Sequence, residues 1–222
     1  MINNELIHVT IEKYINDLPI TNSMSKVLIA TLYEPDAVLL AANRLGPDRL
    51  ILLTDLKPDK KQKESLKLIQ ESLGRVIDVK EVKTEVYDIV AVARKSVEII
   101  DLQPKEDYIY VNVTSGRKPK AMGLLFGAYA RSSRVKKIGY NPEEDKGAVV
   151  YLPKLSFNLT ESQKKVIQAI EDGDFKSPAE LAEKTDISRA MLYKNVKDLQ
   201  DLDLISTEEG FKLTDAGRIA LL

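Results

Sequence analysis

The sequence predicts an α/β protein, with a Rossmann-like, mostly parallel sheet followed by a winged helix-turn-helix domain. Two observations carry the first part: short, fully apolar runs of strand length, and helix-length segments alternating with them. Strands covered on both faces read as continuous apolar runs, the pattern of a parallel sheet between helical layers. The third observation is a change after Pro153, where helix caps multiply and the long apolar runs stop.

Residues 1–24 read as an N-terminal extension with a short amphipathic helix (Leu6, Ile11, Tyr14, Ile15), ahead of a domain over 25–153. Lys26 to Leu32 is the first buried strand, and Pro35 to Leu45 a helix stopped by Gly46-Pro47. Arg49 to Thr54 is the second strand, followed by a lysine-rich helix from Pro58 to Leu73 that stops at Gly74. A third strand covers Val76 to Val82, with Ile77, Val79 and Val82 toward a core, and a helix follows from Tyr87 to Leu102. The fourth strand, Ile109 to Val113, breaks into Thr114-Ser115-Gly116-Arg117-Lys118 just where a helix to Arg131 begins. Lys136 to Tyr140 and Ala148 to Leu152 are joined by an acidic turn too short for a crossover, which makes them an antiparallel hairpin.

Residues 154–158 read as a linker and 159–222 as the second domain. Thr160 and Ser177 each open a capping-box pattern, with Pro178 at a first helical position. The first of these helices has Val166, Ile167 and Ile170 on its apolar face. Ser188 caps a third helix through Leu199. Leu204 to Leu213 forms a hairpin with a glycine turn, and Thr214 caps a last helical turn.

Composition narrows the chemistry. The 222 residues include no cysteine and one histidine, His8, which excludes disulfides and thiolate metal sites and disfavours Ser-His-Asp catalysis. Net charge is −1, so no global field draws the chain to nucleic acid or membrane. No apolar run is long enough for a membrane span and no signal-peptide pattern is present, so a cytoplasmic location is expected.

Loops that follow parallel strands gather on one sheet edge, where ligands bind in such folds. Thr31-Leu32-Tyr33-Glu34, Thr54, and Thr114-Ser115-Gly116-Arg117-Lys118 are therefore the candidate ligand-binding residues. A helix start behind Gly116, two cations and two hydroxyls suit an anion. A tight turn with solvated cations beside it fits the same residues. Neither G-x-G-x-x-G after the first strand nor a P-loop motif occurs, which argues against ordinary NAD binding and against a P-loop ATPase. The lysine run 57, 60, 61, 63 and 67 reads as a solvated helix face.

In the second domain the helix after Ser188 is the candidate DNA reader. Leu192, Val196 and Leu199 have core spacing, which turns Arg189, Ala190, Tyr193, Lys194 and Lys197 outward beside the cap Ser188, while Lys212 sits on the wing. Arg189 suits guanine edges, and the remaining donors suit phosphates. The domain carries thirteen acidic against nine basic residues, a net −4, whereas DNA-binding domains are usually basic. A winged helix used for dimerisation or protein contacts fits the same elements.

The stretch Val111-Asn112-Val113-Thr114-Ser115-Gly116-Arg117-Lys118-Pro119-Lys120-Ala121-Met122, together with Val27 to Glu34 and the C-terminal winged helix, resembles the CRISPR-associated Rossmann fold (CARF) transcriptional regulators. The resemblance implies a homodimer with a two-fold symmetric pocket for a cyclic oligoadenylate, often the tetra-adenylate. Thr31, Leu32, Tyr33 and Glu34 would line that pocket from the first loop, and Thr114 to Lys118 would hold phosphates and riboses. One anion-binding turn per chain, doubled by a two-fold axis, suits a ring of repeating phosphates. The function implied is ligand-responsive control of double-stranded DNA binding, with the oligoadenylate as effector and no cofactor. Two other readings fit the same residues: a ring nuclease that cleaves the oligoadenylate, and a metabolite-sensing repressor unrelated to CRISPR.

Overall fold

The computed structural model describes residues 24–222 except 143, 146, 147, 154, 156, 157, 174, 176 and 209. The helix expected within 1–24, His8, Glu143 of the acidic turn and most of the 154–158 linker lie outside the described residues.

Six strands form one sheet in the order β3-β2-β1-β4-β5-β6. β1 (Lys26–Thr31), β2 (Arg49–Asp55), β3 (Asp78–Thr84), β4 (Tyr108–Asn112) and β5 (Val135–Tyr140) are mutually parallel, and β6 (Val150–Leu152) pairs antiparallel with β5. The hairpin expectation thus holds. The third strand begins later than expected, because the amides of Val76 and Ile77 both donate to Leu73 O and finish the preceding helix.

The apolar runs explain the two layers. Side chains alternate across each strand, so Val27, Ile29, Ile51 and Leu53 face one core with Val92, Ile99, Ile100, Leu124 and Ala128. Leu28, Ala30, Leu50 and Leu52 face the other, with Val38, Ala41, Ala42 and Ile69. The second layer is α1 (Asp36–Leu45) and α2 (Lys60–Leu73); the first is α3 (Ile89–Asp101) and α4 (Lys118–Ala130).

α3 packs directly onto the backbone of α4 at two glycines. A Cβ on Gly123 would lie 2.5 Å from Val92 Cβ, and one on Gly127 would lie 2.5 Å from Ser96 Cβ and 2.9 Å from Ala93 O. No added side chain fits at either glycine.

Beyond Leu152 come α5 (Glu161–Asp172), α6 (Pro178–Thr185), α7 (Arg189–Asp201), the antiparallel pair β7 (Ile205–Ser206) and β8 (Lys212–Leu213), and α8 (Asp215–Ala220). They share one apolar cluster, with Val166, Ile167, Leu181, Leu192, Leu199 and Ile205 buried. The Thr160 capping box is complete, and Ser177, Ser188 and Thr214 each accept an amide as N-caps. Val196, given core spacing with Leu192 and Leu199, is half-buried, while Asn195 beside it is buried.

The C-terminal elements dock on the sheet domain through α8, which packs against α3 and α4. Arg94 and Arg218 both pair with Glu171, at 3.0 and 3.8 Å. Arg131, just past α4, pairs with Asp101 and donates to Leu222 O.

Candidate functional site

The strand order reverses between β1 and β4: one leads outward through β2, the other through β5. At their carboxyl ends the β1–α1 and β4–α4 loops part and leave a cleft of about 470 Å³. Tyr33, Glu34, Asp36, Ala37 and Leu40 line it from one loop and helix, and Thr114, Ser115, Gly116, Asn141 and Pro142 from the other side. A larger groove of about 780 Å³ lies far from this edge, between the end of α4 and α5. It is a seam between the two parts of the chain rather than a strand-end site.

The hydroxyls of the turn act as staples. Ser115 Oγ accepts from the amides of Tyr33 (2.9 Å) and Glu34 (3.0 Å) and donates to Glu34 O (2.9 Å). Thr114 Oγ1 accepts the Asn141 amide at 2.8 Å and donates to Asn141 Oδ1 at 3.2 Å. Asn141 Oδ1 also receives Asn112 Nδ2, and its own Nδ2 donates to Ala148 O. These bonds join the loops after β1, β4 and β5 into one frame. Both hydroxyl protons are therefore engaged within the protein, where the sequence suggested donors for a ligand.

Gly116 is required by geometry. Its φ of +95° is a conformation that L side chains rarely adopt, and an added Cβ would sit 2.9 Å from Thr31 Cβ. This close approach lets Thr31 Oγ1 donate to Ser115 O, which ties the end of β1 to the turn.

Three candidate residues lie beneath the cleft rather than in it. Thr31, Leu32 and Thr54 have no solvent exposure. Leu32 fills the α1–α2 core, and Thr54 Oγ1 donates to Glu81 Oε1 at 2.6 Å. Their strand-end positions put them under the loops, because strand side chains there point into the layers. Tyr33, Glu34, Thr114, Ser115 and Gly116 do meet at the cleft.

The cations take other positions. Lys118 is exposed on the first turn of α4, and Arg117 is its N-cap, with no side-chain capping bond. The Arg117 guanidinium lies over the Tyr33 ring at 5.5 Å, with Nε 3.6 Å from Asp55 Oδ2 and Nη2 3.9 Å from Asp59 Oδ2. Lys61 covers the same ring at 5.3 Å and pairs with Glu34. The Tyr33 hydroxyl donates to Asp59 Oδ2 at 3.0 Å, and this bond, more than burial, raises its pKa above the usual phenol value. Asp59 is held below the usual carboxylate range, first by the Gln62 amide it caps and then by the Tyr33 hydroxyl. The Glu34 hydrogen bond raises Lys61. Lys120, the third cation of the stretch, is wholly buried and pairs with Asp55.

Sequence reasoning missed Asp36, Ala37, Leu40, Asn141 and Pro142 as lining residues, and Asp55, Asp59, Lys61 and Lys120 as charge partners. Asn141 carried the usable signal, since it directly follows a parallel strand as Thr54 and Thr114 do. Lys61 carried none within its run of lysines.

The family model described as "HFX_2341_N:-like, N-terminal" matches residues 26–145, more than half of the chain. The chain belongs to this family. The HFX_2341_N-like region runs from β1 past Asn141, and so contains every residue that lines the cleft. No curated protein sequence matches the chain. Among solved structures it is similar to Can2 from Sulfobacillus thermosulfidooxidans in complex with cyclic tetra-adenylate. That likeness has 17% identity and a TM-score of 0.45, over 88% of this chain and 63% of that one. Enterococcus italicus Csm6, bound to cyclic hexa-2'-fluoro-hexa-dAMP, is 17% identical with a TM-score of 0.46, over 81% and 55%. Protein VC1899 from Vibrio cholerae is 11% identical with a TM-score of 0.47, over 88% and 64%. The chain thus spans less than two thirds of each of these proteins.

On the C-terminal elements, Ser188, Arg189, Ala190, Tyr193, Lys194 and Lys197 are all exposed along α7, and Lys212 is exposed on β8. Buried Leu192, Asn195 and Leu199 occupy the opposite face of α7. Asp186, in the left-handed conformation, turns the chain between α6 and α7.

Proposed function

We propose that the chain is a ligand-responsive transcriptional regulator of a CRISPR-Cas system. In this reading a homodimer binds a cyclic oligoadenylate, foremost cyclic tetra-adenylate, and double-stranded DNA. Residues 25–153 form the ligand domain, 154–158 the linker and 159–222 a winged helix-turn-helix. The observation that carries the reading is the cleft at the β1/β4 switch point, framed by the Thr114–Gly116 turn and the first loop. The resemblance of Val111 to Met122 to CARF regulators supplies the ligand class, and a two-fold axis would double one cleft into a site for a symmetric ring.

The DNA half of the proposal rests on the exposed row of α7 and on the element order helix, helix, helix, hairpin, helix. Ligand in the cleft would bias one dimer equilibrium, and that bias would reach DNA through the spacing of the two α7 helices.

A thermal-shift panel tests the ligand. A ligand that binds only the native protein raises the melting temperature, and the rise grows with the logarithm of its concentration relative to Kd. Cyclic tetra-adenylate is expected to raise it where NAD and ATP do not; a response to NAD or ATP alone overturns the ligand class. Recovery of intact ring after incubation separates binding from cleavage.

A further inference from the structure

Arg117 stands on the turn that frames the cleft, yet it is not among the residues that line it. Tyr33 lines the cleft and Arg117 stacks on its ring, drawn toward Asp55 and Asp59 on the β2–α2 side. Both carboxylate separations, 3.6 and 3.9 Å, exceed hydrogen-bond length, so the guanidinium is attracted without being bonded. Arg117 and Asp59 are each more than two-fifths exposed, where an ion pair is weak and a better anion can displace it.

We propose that Asp59 is a positioning residue for Arg117, an internal competitor that an anionic ligand must displace. The proposal rests on the reading of the cleft as an anion site. Asp59 suits this role because its two oxygens are divided. Oδ1 caps α2 by accepting the Gln62 amide, while Oδ2 takes the Tyr33 hydroxyl and faces Arg117. Cap, ring and guanidinium are thus tied to one carboxylate, whose charge is secured by the two donors it accepts. When a ligand phosphate draws Arg117 across the ring, the Tyr33 hydroxyl keeps its acceptor and the helix keeps its cap. Only the pairings of Arg117 with Asp59 and Asp55 are given up.

Asp59→Asn removes the charge that faces Arg117 and keeps the helix cap, since asparagine caps helices as well as aspartate. Its amide nitrogen takes the place of Oδ2 and donates to the Tyr33 oxygen, where the carboxylate had accepted from the hydroxyl. Isothermal titration with cyclic tetra-adenylate should show about two- to fivefold tighter binding for Asp59→Asn, the range of an exposed ion pair. The gain should vanish in an Arg117→Ala background. Unchanged or weaker binding in Asp59→Asn overturns the proposal, as does a gain that survives without Arg117. If cyclic tetra-adenylate binds no variant, the proposed ligand is wrong, and the same four proteins (wild type, each single variant and the double variant) are titrated with inorganic tripolyphosphate. An Arg117-dependent gain there sustains the role of Asp59, and its absence removes it. A ligand-free readout accompanies both titrations. The Tyr33 hydroxyl, followed by NMR of ring-labelled tyrosine and assigned with Tyr33→Phe, should titrate higher in Arg117→Ala, because the guanidinium lowers its pKa. An unmoved Tyr33 resonance means that Arg117 does not rest on the ring, and also overturns the proposal.

Discussion

The Lys120 ammonium donates to Asp55 Oδ1 at 2.6 Å from a side chain with no solvent exposure. It also donates to Thr54 O, so a charge inside the α4 layer pins the end of β2. Removing one partner of a buried pair leaves the other uncompensated, and Lys120→Ala should cost about 3–5 kcal/mol in urea unfolding. Burial depresses the Lys120 pKa below 10.5, and Asp55 offsets part of that. The unfolded chain therefore holds this proton more tightly than the native protein, so this group adds stability as pH rises through its native pKa toward 10.5. The stability of wild type relative to Lys120→Met should grow across that window; a flat or falling difference contradicts the depressed value.

Gly116→Ala tests the turn. The added Cβ meets Thr31 Cβ at 2.9 Å on a backbone with φ of +95°. Strain of this kind costs about 1–3 kcal/mol, to be read from chemical denaturation. Binding of cyclic tetra-adenylate should weaken too, because the turn must move to fit the methyl.

Ser115→Ala removes the acceptor of two amides and the donor to Glu34 O. A loss of about 1–3 kcal/mol is expected for groups left unpaired in a partly buried loop. Hydrogen exchange at Tyr33 and Glu34 should accelerate, while the amides of β2 should not change. Unaltered exchange at those two amides would show that the hydroxyl does not hold the loop.

If Arg189 on α7 reads a base edge as proposed, Arg189→Ala should cost about 1–3 kcal/mol on the specific operator and relax preference at one base pair. Lys194→Ala and Lys197→Ala should instead weaken all duplexes alike, each lowering the salt slope by about one. If the full-length protein prefers no promoter sequence over random duplex, with or without ligand, the regulator proposal fails.

The centre of the sheet was legible because β1 and β2 are buried on both faces and need no distant partner to be recognised. The position of Thr114-Ser115-Gly116 was legible for the same reason, as a polar break at the end of an apolar run. What the side chains do there was not. Whether Ser115 addresses a ligand or the chain depends on the amides of Tyr33 and Glu34, more than 80 residues away. The fate of Arg117 depends on Asp55 and Asp59 from another loop, and one lysine of a run of five, Lys61, lands on Tyr33 through the turn of α2. Local spacing encodes layers; charge partners are chosen by the topology that assembles them.

The glycine-lined seam between α3 and α4 has a mechanical consequence. Side chains between helices act as springs, since rotamer changes absorb small displacements; at Gly123 and Gly127 one helix contributes no side chain, and Val92 and Ser96 pack straight onto its backbone, which leaves little to yield. α4 starts at Arg117 on the cleft turn and ends beside Arg131, on the carbonyl of Leu222, a span of about 20 Å at the helical rise. Such a pair behaves as a stiff rod. A push at the turn would arrive at the far end as translation rather than be lost in loose joints, and Arg131, which holds the carbonyl of Leu222, is where that stroke would be delivered.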